Sequence, residues 1–155
     1  MAIMAKFINK QAQKIGIAPG SLIFTGVQRM DKPEINVLKY DPTHYQLDEN
    51  IAVEDIPKYI DDKSITWLQI IGTHDVPLIK TIGDIFEIHP LILEDILNPN
   101  QRAKFDNHDQ RLAFFLKMLE LNPETKLVES EQVAIVIGQN FVLSFQEMPG
   151  KIFNH

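Results

Sequence analysis

Glu94 and Asp95 are adjacent carboxylates, and Gln101, Arg102 and Lys104 follow close behind them. The segment Glu87 to Asp106 that carries them is where helix punctuation, paired acids and a basic run occur together. Two carboxylates beside an amide, here Asn98, are oxygen donors of the kind a hard divalent cation takes. Mg²⁺ in particular keeps several of its waters and needs only one or two carboxylates from any one element. A site of that kind is open, and further acidic oxygens from a later segment or a second chain have to close it. The plainer alternative is a solvated helix face, and for Gln101, Arg102 and Lys104 it is charge balancing with Glu94, Asp95 or Asp106, worth little where exposed. A phosphate site at these residues would lack the glycine-rich loop that usually accompanies one.

The element that must position the acidic pair is a short helix. Pro90 suits a first helical turn, where its missing N–H would have had no partner, and Asn98-Pro99 stops the helix after about two turns. At roughly 100° per residue, Ile92, Leu93, Ile96 and Leu97 fall on one side and Glu94, Asp95 and Asn98 on the other, with Leu91 among the polar residues. His89 reads as a helix-entry residue whose ring bonds nearby backbone. Before it, Asp75 is a suitable N-cap for a helix with Val76, Ile79, Ile82, Ile85 and Phe86 at helical spacing.

The remaining elements supply a sheet. Leu22–Gln28 and Glu34–Tyr40 read as a hairpin around Arg29–Pro33, with Ile35, Val37 and Lys39 on one face. A short acidic helix is expected near Ala52–Ile60, weakened by Pro57. Ser64–Ile71 has the β-branched and aromatic content of a buried strand. Arg111–Leu121 reads as a central strand buried on both faces. Lys126–Glu147 reads as two strands joined at Gly138-Gln139-Asn140, residues suited to a turn with positive φ. The order β-β-α-β-α-α-β-β-β predicts a mixed sheet with helices packed on it rather than a doubly wound parallel fold.

Composition narrows the function. A chain of 155 residues with 45% hydrophobic content is expected to form one domain with its own core. The formal net charge is −6 without a block of Lys and Arg, which argues against nucleic acid or an anionic membrane surface as partner. Cysteine is absent, excluding disulfides and thiolate zinc sites. The N-terminus has no apolar region of signal-peptide length, and the longest apolar runs, such as Leu112–Leu116 and Val133–Ile137, are far too short for a membrane span. The end at Lys151–His155, directly after a strand-like segment, predicts that further chain follows. The histidines at 44, 74, 89, 108 and 155, with Asp75, Asp106 and Asp109, require a soluble metal-dependent hydrolase to be weighed, but they lack an HExxH spacing. A G-x-S-x-G elbow, a Walker loop and a dinucleotide fingerprint are likewise missing from the sequence.

In order and at similar spacing, His89-Pro90-Leu91, Glu94-Asp95, Gln101-Arg102 with Lys104, Glu131-Gln132-Val133 and Ser144-Phe145-Gln146-Glu147 resemble the cytoplasmic N-terminal domain of the CorA family of magnesium/cobalt transporters. The resemblance spans roughly residues 20 to 150, leaving 1–20 as a leader and 151–155 as the start of a following segment. Ala103 departs from it, where the family usually has proline. The resemblance implies an α/β/α sandwich and a non-enzymatic, homopentameric transporter of the cell membrane, with this domain on the cytoplasmic side. It also implies a stalk helix and two membrane helices bearing a Gly-Met-Asn motif, and that tripeptide does not occur in this chain. In the family the acidic pair binds divalent ions against a neighbouring protomer. Carried over, Glu94 and Asp95 are the metal residues, with Mg²⁺ or Co²⁺ bound weakly and for regulation. His89-Pro90, Arg102 and Lys104 are expected to be structural. A zinc-transporting branch of the same superfamily is the near alternative.

Overall fold

The computed structural model describes residues 18–150. The expected leader, up to residue 17, and the expected following segment 151–155 lie outside the described residues. Seven strands form one sheet: β1 Glu34–Tyr40, β2 Tyr45–Asp48, β3 Ile65–Ile71, β4 Lys104–His108, β5 Arg111–Leu121, β6 Val128–Ile137 and β7 Phe141–Gln146. Their spatial order is β2-β1-β3-β7-β6-β5-β4. The β3–β7 pair is parallel and the other neighbouring pairs are antiparallel. Two α-helices, α1 Val76–Ile85 and α2 Pro90–Ile96, connect β3 to β4. The fold is α/β with a mixed sheet, as the segment order predicts.

Register shows how the sheet prepares a place for α2. Val37, Leu68, Leu143, Val136 and Ala113 are paired across successive strands into one buried row, and Ile35, Ile70, Phe145, Ala134 and Phe115 form the next. At the β4 edge these rows end in charge, because Asp106 is paired with Ala113 and Lys104 with Phe115. The helices close the same core with Ile79, Ile82, Ile92, Leu93, Ile96 and Leu97, all buried. Burying one such side chain stabilises by about 1.5–3 kcal/mol, more than an exposed ion pair. The apolar side of α2 therefore fixes its position, and the carboxylates are carried with it.

Local chemistry explains the helix boundaries. Asp75 Oδ1 accepts from the Leu78 amide at 3.0 Å, capping α1 as expected. His89 caps α2 with its ring, Nδ1 accepting from the Leu91 amide at 3.2 Å, and Pro90 occupies the first turn. Between the helices Glu87 takes φ 52°, and Ile88 N–H donates to Gly83 O at 2.8 Å. A Cβ on Gly83 would lie 2.4 Å from Leu93 Cδ1, so glycine here permits the close approach of α1 and α2.

Several expectations are corrected. Leu22–Gln28 is not a strand. Leu22 and Phe24 pack against the core, and Thr25 N–H donates to Leu97 O at 3.0 Å, so the segment runs along the end of α2 instead of entering the sheet. The hairpin partner of β1 is β2, which follows a turn held by Asp41 Oδ1 through the amides of Thr43 and His44. The segment around Pro57 is a 3₁₀ helix, Val53–Tyr59, in keeping with a proline that cannot donate an α-helical bond. Arg111–Leu121 is second from the edge, not central, and its far half pairs with β6 alone, leaving Leu116, Leu119 and Leu121 exposed. Positive φ falls at Asp109 and Gln110 in the β4–β5 turn rather than at residues 138–140.

Candidate metal centre

The solvent side of α2 holds both sequence-predicted site residues, half-buried and already engaged. Glu94 Oε2 accepts from the Gly20 amide at 2.8 Å. Asp95 divides its carboxylate: Oδ1 accepts from Gln101 Nε2 at 2.8 Å, and Oδ2 meets Lys104 Nζ at 2.7 Å. The same ammonium reaches Asp106 Oδ2 at 2.6 Å. Lys104 thus bridges two carboxylates at the charged end of the sheet rows, and the expected charge balancing becomes a specific contact. Burial draws its ammonium down, but hydrogen bonds from Lys104 to Asp106 and Asp95 outweigh that and hold it above the usual lysine value. It is positive throughout the physiological range.

The surrounding scaffold fixes the end of α2. Gln132 is buried on β6 and its Nε2 donates to Asp95 O at 3.0 Å. Thr25 Oγ1 donates to Asn98 Oδ1 at 2.9 Å, and Lys117 Nζ donates to Pro99 O. Helical periodicity points to Glu94 and Asp95 but not to Gln132, 37 positions away from Asp95. The Glu131-Gln132-Val133 segment is the only sequence signal near it.

The same stretch of β6 holds a reciprocal arrangement of acids and amides. Glu131 Oε1 accepts from the amides of Glu147 and Met148 at 2.9 and 3.1 Å, while Glu147 Oε1 accepts from the Gln132 amide at 3.0 Å. Arg29 Nε lies 3.5 Å from Glu147 Oε2. Burial pushes the Glu131 carboxyl above the usual range despite those amides.

The hydrolase alternative requires at least three converging ligands, and among the described residues there is no group of three or more His, Asp or Glu side chains placed to hold a metal. The described histidines are engaged separately. His44 sits beside Asp41 in an exposed turn, His74 meets Phe24 edge-on, and His89 stacks on His108 with ring centroids 4.7 Å apart. His155 lies outside the described residues. For a hydrated Mg²⁺ the donor chemistry fits in part: Glu94 and Asp95 offer only oxygen, as such an ion takes, but among the described residues they belong to no group of three or more acids or histidines placed to hold an ion.

Known structures share the architecture. The fold is shared with the CorA magnesium transporter from Methanocaldococcus jannaschii, at 12% identity and TM-score 0.52 over 72% of this chain and 31% of that one. It is shared as well with the cytoplasmic domain of ZntB from Vibrio parahaemolyticus, at 15% identity and TM-score 0.56 over 76% of this chain and 45% of that one. Sequence goes further. The family described as CorA-like Mg²⁺ transporter protein matches residues 62–155, and the chain belongs to the CorA family. It is 37% identical over 146 residues to the cobalt/magnesium transport protein CorA of Thermotoga maritima, covering 94% of this chain and 41% of that protein. The chain therefore spans about two-fifths of the length of that relative. No described helix is long and apolar enough to cross a membrane.

Proposed function

We propose that this chain is the cytoplasmic, divalent-cation-sensing domain of a Mg²⁺/Co²⁺ transporter, and that Glu94 and Asp95 bind the regulatory ion. The observation that carries the proposal is the acidic pair on the outer side of α2 in a chain of this family, 37% identical to a cobalt/magnesium transport protein. Each protomer contributes these two carboxylates, and a neighbouring protomer of a pentamer supplies the rest. Bound Mg²⁺ neutralises acids that otherwise repel across the interface, so occupancy favours the closed ring. When cytosolic Mg²⁺ falls, repulsion returns and the equilibrium moves toward conducting arrangements. The ion carried across the membrane is substrate, distinct from the one held at Glu94 and Asp95.

The likeness to ZntB lies at 15% identity and speaks for fold alone, while the oxygen-only donors suit a hard ion better than zinc. Uptake by the full-length protein in liposomes tests the proposal. Mg²⁺ and Co²⁺ are expected to compete for entry, and inward flux is expected to fall as Mg²⁺ on the cytoplasmic side rises. Glu94→Ala with Asp95→Ala should remove that inhibition and leave the flux in place. Zinc uptake that is indifferent to Mg²⁺ would instead support the zinc-transporting branch.

A further inference from the structure

Lys104 already occupies the position beside Asp95 that a cation would take. Its ammonium lies 2.7 Å from Asp95 Oδ2 and 2.6 Å from Asp106 Oδ2, distances of charge-assisted hydrogen bonds. The lysine is one strand-start away from α2, on the β4 edge, and its register beside Phe115 directs it toward the helix layer. Its ring neighbour confirms that direction, since Nζ sits 5.4 Å from the Phe115 centroid. An ammonium and a divalent ion cannot both sit against one carboxylate oxygen without repulsion, so an ion reaching Asp95 Oδ2 must first move Lys104.

We propose that Lys104 is a tethered counter-cation that competes with the divalent ion for Asp95, and that Asp106 is the carboxylate to which it withdraws when the ion binds. The proposal rests on Asp95 being a ligand. It gives the site an internal threshold: the two carboxylates are kept paired at low ion concentration, and a free ion has to outcompete a charge attached to the same chain. Affinity is thereby set low, where a sensor of an abundant ion has to operate. Asp106 makes the exchange easier, because the displaced ammonium keeps one charged partner and is not left without any.

The two partners of the exchange predict opposite effects. Protection of the full-length protein from proteolysis is measured against Mg²⁺ concentration, a readout independent of transport. Lys104→Gln is expected to lower the Mg²⁺ midpoint roughly tenfold, the scale of one charge-assisted hydrogen bond. Asp106→Asn, which removes the place of withdrawal, is expected to raise the midpoint several-fold. Arg102→Gln removes the same charge from an exposed neighbour and should shift it much less. Asp95→Asn should abolish the Mg²⁺ response. If Asp95→Asn leaves the response intact, the ligand assignment beneath the proposal fails. If Asp95→Asn abolishes it but Lys104→Gln leaves the midpoint unchanged, or Asp106→Asn lowers it, the ligand assignment stands and the competition is overturned.

Discussion

At the scale of single residues, the acids of this chain divide by what they face. Asp95 faces an ammonium, whereas Glu131 faces backbone amides and the Glu147 carboxylate in a partly buried corner. Burial raises the Glu131 carboxyl in the folded state, so the native protein holds that proton more tightly than the unfolded chain. The associated stability is complete below the unfolded value and is lost as pH rises through the folded one. Glu131→Gln keeps an oxygen for the two amides and removes the titration. Urea unfolding of both proteins across pH should show the wild type losing stability relative to Glu131→Gln as pH rises from 4.5, and parallel curves would contradict the assignment. Glu131→Ala, which strands both amides, should cost about 1–3 kcal/mol at neutral pH.

Among the elements, the α1–α2 corner governs where the acidic pair stands. Gly83 lies against the Leu93 side chain, so Gly83→Ala forces that buried side chain to shift and is expected to cost about 1–3 kcal/mol. A shift in the urea midpoint at constant slope would report it. Glu87 lies in the left-handed region at φ 52°, and its 3.8 Å pairing with Arg111 is exposed and weak. Glu87→Gly should therefore raise stability, by up to about 1 kcal/mol. Both helices are legible in the sequence because caps, proline and apolar spacing agree, as at Asp75, Pro90 and the Ile92–Leu97 side. The edge strands are not. β2 has four mostly exposed residues and no buried alternation, and β4 turns Lys104 and Asp106 inward, so neither carries the apolar signature of a strand. Leu22 and Phe24 show the opposite case, apolar residues that pack against the core without a sheet partner. For the site, side-chain types and helical spacing identify Glu94 and Asp95. Charge balance by Lys104 is legible too, but its bridge between Asp95 and Asp106 and the Gln132 bond depend on strand register, which the order of residue types does not encode.

For the whole molecule, the sheet joins distant parts of the chain through the β3–β7 pairing, and α2 is held between a buried core and a charged sheet edge. The rows of apolar side chains end at β4 in the charged pair Lys104 and Asp106. A domain built in this way presents Glu94 and Asp95 at a fixed place on the outer side of α2. The measurement that tests the account most directly is a calorimetric titration of Mg²⁺ into the full-length protein and into its Glu94→Ala, Asp95→Ala double variant. Saturable binding on the cytoplasmic side in the wild type, lost in the variant with folding intact, is the predicted result. Equal binding by the two proteins would contradict the central claim.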